Sequence, residues 1–228
     1  MARRNPLFPY VYRLGMPFFD RLFYRRYRRT AMSYAMGRLL MIGLGPGADL
    51  MFLPAAVTSV AAVEPEPAMR RMAAAIARRH GITVDIVDGV GESIPFPDNS
   101  FDSVHVGLVL CSVDDVDATL GEIRRVLAPG GRLVVLEHVR GDGAMGRFQD
   151  LIAKPWAWLA SGCRPNRRTI DAIAAAGFDT TALSSIRRTP VPPPCTPQLQ
   201  GFATVLRGEP GGSSVGLGNV ERLESHHE

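Results

Sequence analysis

Apolar and polar positions along the chain switch repeatedly between two rhythms. Short apolar runs bounded by glycine or proline read as buried strands, and longer stretches with apolar residues every three or four positions read as helices. The run RLLMI (38–42) ends in glycine and reads as a first buried strand. Ala48–Leu53 predicts a short helix before Pro54, and Ser59–Val63 a second strand. Pro65 or Pro67 opens a helix to Arg79, with Met69, Met72, Ala73 and Ile76 on one face and Gly81 as its C-cap. Ile82–Val87 predicts a third strand and, after a polar loop, Phe101–Leu110 a fourth. Ser112-x-x-Asp115 has the form of a capping box before a helix carrying Val116, Leu120, Ile123 and Leu127. Ala128-Pro-Gly-Gly stops that helix, and Arg132–Leu136 predicts a fifth strand. Helices over 146–160 and 167–176 follow, with Gly177 as a stop, and 180–188 and 200–207 suit a closing strand pair. Pro190–Pro197 is too rich in proline for either element. This alternation predicts an α/β chain with a doubly wound, mostly parallel, seven-stranded sheet.

The two ends differ from this body. Residues 1–37 read as a basic, aromatic leader, helical from Phe18 to Met36, with Phe19, Leu22, Phe23 and Tyr27 at helical spacing. Residues 38–207 form the α/β domain, and 208–228, rich in glycine and serine, read as a disordered tail whose closing His226-His227 pair is no metal site. Residues 1–38 hold nine arginines against one acid, whereas the rest of the chain carries 17 basic and 21 acidic residues. The positive charge therefore belongs to the leader. Two readings of it stand side by side: a lid over a bound ligand with its arginines in solvent, or a peripheral contact with an anionic membrane through residues 1–38. Nothing beyond charge points to nucleic acid. With no signal-peptide pattern and no apolar run of spanning length, a cytoplasmic protein is expected, with a membrane-peripheral placement as the variant. Cys111, Cys163 and Cys195 lie far apart with no metal-ligand spacing, so no metal is expected and a reducing compartment is the simplest setting.

The first strand runs directly into Gly43-Leu-Gly45-Pro-Gly47-Ala48. In a doubly wound sheet, ligands sit beyond the carboxyl end of such a strand, where glycines let a cofactor approach the backbone. Glu64 follows the second strand, 17 residues after Gly47, where an acid hydrogen-bonds a ribose. The pattern is ambiguous taken alone, because Gly43, Gly45 and Ala48 also satisfy the dinucleotide form G-x-G-x-x-A.

Later segments separate the two. The loop from Gly91 to Asp102, the block Leu110-Cys-Ser-Val-Asp-Asp, the run I-R-R-V-L-A-P-G-G and L-E-H-V resemble class I methyltransferases of the type eleven group over about residues 38–140. V-E-P-E-P (63–67), L-V-L-C-S-V (108–113), L-E-H-V (136–139) and Trp158-Leu-Ala-Ser-Gly-Cys163 are similar to the alkyl-thiol methyltransferases and their bacterial relatives. The resemblance implies a Rossmann-like methyltransferase fold that binds S-adenosyl-L-methionine. It implies that Gly43, Gly45 and Gly47 cradle the methionyl part and ribose, and that Glu64 binds the ribose hydroxyls. It puts Pro65 and Met69 beside the adenine, the backbone of Gly91 and Glu92 at the adenine edge, and Leu110 and Cys111 beside the methyl group. The chain departs from many relatives at Met41 and Val90, where an acid is usual.

The expected activity is methyl transfer to a small, modestly hydrophobic acceptor, a thiol first and a lipid or quinone next. His138, at the carboxyl end of the fifth strand, is the candidate base, with a purely structural histidine as the alternative. Asp114 and Asp115 read as helix caps, and the cysteines as small packing groups. A nicotinamide-dependent oxidoreductase using the same glycine loop, and a non-catalytic cofactor-binding protein motivated by Met41, are the competing functions.

Overall fold

The structure, a computed structural model, describes residues 20–187, 191 and 193–206. The tail, and the first half of the leader with Phe19, lie outside these residues. Strand β1 (Gly37–Ile42) leads into a short 3-10 turn, Ala48–Phe52, and β2 (Val57–Val63). Before them, within the leader, lies helix α1 (Arg25–Met32), entered through a π turn at Asp20–Tyr24. Helix α2 (Pro67–Arg79), β3 (Asp85–Val87) and β4 (Phe101–Gly107) follow. Helix α3 (Val116–Val126), β5 (Leu127–His138), α4 (Gly143–Leu159) and α5 (Thr169–Ala175) continue the winding. The chain closes with β6 (Phe178–Asp179), β7 (Leu183–Ile186) and β8 (Gln198–Val205).

The sheet order is β3-β2-β1-β4-β5-β8-β6, with β7 also paired to β8. The first five strands are parallel and β8 runs antiparallel to β5. The expected doubly wound α/β sheet is therefore present. Eight strands stand where seven were expected, because the two-residue β6 pairs with β8 beside β7. Chain order reverses between β1 and β4, and the carboxyl ends of those strands open the crevice where such sheets bind ligands.

Several boundaries move for local reasons. β4 stops at Gly107 and not Leu110, because Leu108 takes φ +62° and turns the chain out of the sheet. β3 keeps only Asp85–Val87 of the expected run, the part that pairs with β2. Asp115, and not Ser112, caps α3: its carboxylate accepts from the N–H groups of Asp117 and Ala118 at 3.0 and 2.9 Å. The A-P-G-G segment loops out of β5, whose pairing with β4 jumps from Phe101↔Leu127 to Ser103↔Arg132.

The core has one layer on each face of the sheet. Leu40, Ile42, Val104, Val106, Leu133 and Val135 face α3 and α5 on one side. Leu39, Met41, Val134 and Leu136 face α1 on the other, with Tyr27, Ala31 and Met32. The leader thus packs on the sheet as a structural element. Tyr34 meets the Phe202 ring at 5.3 Å, the Tyr27 carbonyl accepts from Gln200, and the Tyr24 hydroxyl meets His138 Nε2 at 3.0 Å. These contacts climb β8 and β5 toward the carboxyl edge of the sheet.

One leader arginine corrects the expectation that they all face solvent. Arg25, Arg26 and Arg29 are exposed, but Arg28 is buried. Its guanidinium pairs with Asp20 at 2.7 Å and with Asp49 at 2.8 Å, and lies 5.7 Å from the Tyr24 ring. His105 Nε2 lies 3.3 Å from Asp49 on the far side. Burial works against the Asp49 carboxylate, but Arg28 and His105 outweigh it and hold its pKa far below the usual range. Among the described residues no helix is long and apolar enough to cross a membrane.

Candidate active site

The crevice at the carboxyl ends of β1 and β4 is built from backbone that tolerates no side chain. Gly43, Gly45 and Gly47 all have positive φ, at 60°, 58° and 87°. A Cβ on Gly43 would stand 2.7 Å from the Val109 side chain, so the glycine loop and the turn after β4 are in direct apposition. The Gly43 N–H donates to the Val63 carbonyl at 2.8 Å, which ties the loop to β2. Gly91 closes the crevice from the β4 side: a Cβ there would meet Thr119 at 2.9 Å and Ile42 at 3.2 Å. Only glycine therefore fits between α3 and β1 at this position.

Glu64, buried at the end of β2, spans the loop. One carboxylate oxygen accepts from Gly45 N–H at 2.8 Å, the other from Glu66 N–H at 2.9 Å. Pro65 follows it half-buried, and Met69, one turn into α2, is buried. Glu66 caps α2 through Ala68 N–H at 3.2 Å. The Glu92 side chain accepts from the N–H groups of Asp114 and Asp115, at 2.8 and 3.2 Å, and so braces the start of α3. The glycine loop, the acid at the end of β2 and the apolar flank occur in the order that an adenosyl ligand requires, so the residues fit S-adenosylmethionine.

Met41 is buried in the apolar layer under α1, packed with residues such as Met32, Leu39 and Leu44. An acid there would sit in hydrocarbon, so this chain has traded the usual acid for packing between leader and sheet.

Leu110 and Cys111 are buried where the turn after β4 folds back. Two residues that the sequence reading did not single out shape this turn. Glu137, fully buried on β5, accepts from the N–H groups of Val109 and Leu110, both at 2.7 Å, and of Cys111 at 3.3 Å. Burial lifts the Glu137 pKa, against those three N–H groups. Arg167 donates to the carbonyls of Leu110 and Val113 from the other side, and Cys111 C=O accepts from Arg164 N–H at 2.7 Å. The only sequence signal for Glu137 was its place inside the L-E-H-V run.

His138 follows Glu137 and points to the opposite face. It is buried, with Nε2 against the Tyr24 hydroxyl and Nδ1 facing two thiols, Cys163 at 3.5 Å and Cys111 at 3.8 Å. Cys195 also acts on the charge of this ring, raising its pKa. The fold thus gathers three cysteines that are remote in sequence around one imidazole. Cys111 is held protonated, its pKa raised by a hydrogen bond to Cys163 and by burial. Gln198 pairs with His138 across β5 and β8, and both its amide atoms are buried without a partner among the described residues.

Comparison with known proteins agrees with this geometry. The sequence profile of a family described as a methyltransferase domain matches residues 40–135. A human thiol S-methyltransferase is 31% identical over 65% of this chain and 63% of its own length, so the chain spans a little under two thirds of that relative. A ubiquinone/menaquinone biosynthesis C-methyltransferase from Rubrivivax gelatinosus is 31% identical over 70% of both chains. Among solved structures, a methyltransferase from Thermotoga maritima, described as a possible histamine N-methyltransferase, superposes with a TM-score of 0.61 at 22% identity, covering 86% of this chain and 95% of its own; it supports the fold. With these relatives the nicotinamide alternative falls away, and the chain belongs to the class I S-adenosylmethionine-dependent methyltransferases.

Proposed function

We propose that this methyltransferase acts on a small, modestly hydrophobic thiol. The observation that carries the reading is His138: a buried imidazole at the carboxyl end of β5, its Nδ1 turned to the Cys163 and Cys111 thiols beside the turn after β4. The thiol S-methyltransferase among the relatives supports it. S-adenosylmethionine supplies a sulfonium-activated methyl, which needs only an aligned nucleophile in a dry site. A thiol has a pKa near 8.5, so a single imidazole is sufficient to take its proton. His138 Nδ1 accepts that proton while the Tyr24 hydroxyl holds Nε2 and fixes the ring. Bound beside Leu110 and Cys111, S-adenosylmethionine would supply the methyl group to the acceptor sulfur.

Glu64 anchors the ribose hydroxyls in this reading, with Gly43, Gly45 and Gly47 around the methionyl part, Pro65 and Met69 flanking the adenine, and Gly91 and Glu92 backbone at its edge. Leu110 and Cys111 border the methyl. For Glu64→Gln, calorimetry should show S-adenosylhomocysteine affinity reduced roughly 10- to 100-fold, the worth of a hydrogen bond to a charged acceptor. Unchanged affinity would remove Glu64 from the ribose site.

A second reading, methylation of a quinone-type carbon, is favoured by the C-methyltransferase relative and by the leader. There Leu22 and Phe23 lie beside Arg25, Arg26 and Arg29 around an open recess of about 630 Å³, an arrangement suited to an anionic lipid surface. Transfer of a labelled methyl to an alkyl thiol, the matching alcohol and a demethylated quinol separates the two. The thiol should lead in kcat/KM by at least about tenfold, as its acidity predicts. Preference for alcohol or quinol would overturn the thiol reading.

A further inference from the structure

We propose that Cys111, His138 and Cys163 form a three-ligand site for zinc, open at a fourth position. Two thiols and an imidazole nitrogen, from the turn after β4, the end of β5 and the segment after α4, bring their donor atoms within 4.8 Å of one another, and all three residues are buried. Tetrahedral zinc, with bonds of about 2.3 Å to sulfur and 2.0–2.1 Å to nitrogen, places sulfur and nitrogen about 3.5 Å apart. The observed separations from Nδ1 are 3.5 Å to Cys163 and 3.8 Å to Cys111.

Two further features fit a metal better than a packed cluster of thiols. A ligating histidine donates its other N–H to a fixed acceptor, which leaves the ligating nitrogen bare. Here the Tyr24 hydroxyl stands 3.0 Å from Nε2, so Nδ1 is the free donor atom turned to the thiols. The second feature is the Gln198 amide. Directly opposed residues on antiparallel strands have their Cβ atoms about 5 Å apart on one face. Gln198 opposes His138, and its amide N–H₂ and C=O are both buried without a partner among the described residues. An orphaned donor and acceptor at this depth call for a polar occupant, and a water or thiolate on a metal's fourth position provides one.

Loading is a simple exchange: the ion enters, and the protons on the Cys111 and Cys163 thiols, with any on His138 Nδ1, leave to solvent. No electron moves. Three protein ligands and one open position are the pattern of a reactive zinc centre rather than a closed structural one. If the acceptor is a thiol, its sulfur binds there, loses its proton to solvent and is held as a thiolate, so that the ion takes over the proton-removing role that Nδ1 has without metal; this clause rests on the thiol reading above, not on His138 as its base.

The test uses the full chain with His226 and His227 replaced by alanine, so that the tail contributes no ligand. Metal analysis after growth with zinc, and titration of chelator-treated protein, should give about one ion per chain. Cys111→Ser and Cys163→Ser should each lose tight binding, and Tyr24→Phe should weaken it about 10- to 100-fold with the ligands intact. Cobalt in place of zinc should show the intense bands of a tetrahedral thiolate site, and an alkyl thiol should shift them. Wild-type protein that binds no zinc or cobalt overturns the proposal outright, whatever the variants do. Metal bound with no spectral response to a thiol that is nevertheless methylated overturns the open fourth position alone. Metal bound with no thiol methylated leaves the site standing and removes the thiol reading.

Discussion

Arg28→Met is expected to cost about 3–5 kcal/mol of folding stability, the range for breaking a buried pair from one side. Arg28 sits between Asp20 and Asp49, with its side chain 5% exposed, and removing it leaves the Asp49 carboxylate buried beside His105. Methionine keeps much of the aliphatic packing, so the loss reports charge. The Asp49→Leu partner change should recover a good part of it, because removing both charges avoids the orphan. The same network sets a pH dependence. Asp49 has a depressed folded pKa, so the stability it contributes is complete above the unfolded carboxylate value of about 3.9 and is lost as pH falls through the folded value. Arg28→Met should flatten that acid-side slope. Urea denaturation of wild type and variants from neutral pH downward measures both effects; a single-variant loss below about 1 kcal/mol, the level of a surface pair, would show that Arg28 is not a buried anchor.

The second large effect belongs to Glu137. Glu137→Ala strips acceptors from three N–H groups, those of Val109, Leu110 and Cys111. Each orphaned buried donor costs about 1–3 kcal/mol, so a loss of about 3 kcal/mol or more is expected. The turn that borders the methyl would lose its register as well, and a displacement of about 1 Å is enough to lower kcat about a hundredfold. Glu137→Gln should be milder, because the single carbonyl oxygen can still serve Val109 and Leu110 as Oε1 does now. The comparison separates support of the turn from charge: equal kcat for the alanine variant and wild type would sink the idea that Glu137 sets this turn.

The sheet and the crevice were legible in the sequence because they are local. The RLLMI run, its exit into Gly43 and the acid at Glu64 lie within a few dozen residues, and spacing alone orders them. Boundaries slipped where one residue overruled a run, as Leu108 did by turning out of β4. What stayed hidden was long-range. Arg28 looked like one of four solvent arginines, since nothing near it in sequence announces Asp49. The three cysteines looked unrelated for the same reason, being brought together only when the turn after β4, the segment after α4 and the segment before β8 meet at the end of β5. Met41 looked like a missing acid, and only its burial under α1 shows what stands in the acid's place.

His138 touches Tyr24, from the earliest described turn, and faces Gln198 and Cys195, from nearly the latest. A chain still leaving the ribosome has its glycine loop, Glu64 and five parallel strands long before it has β8. The cofactor crevice can thus be complete while the imidazole is still bare. Premature termination before Cys195, or clipping of the leader up to Tyr24, would strike the same side chain from opposite ends of the polypeptide. Either product would carry the histidine without part of its surroundings.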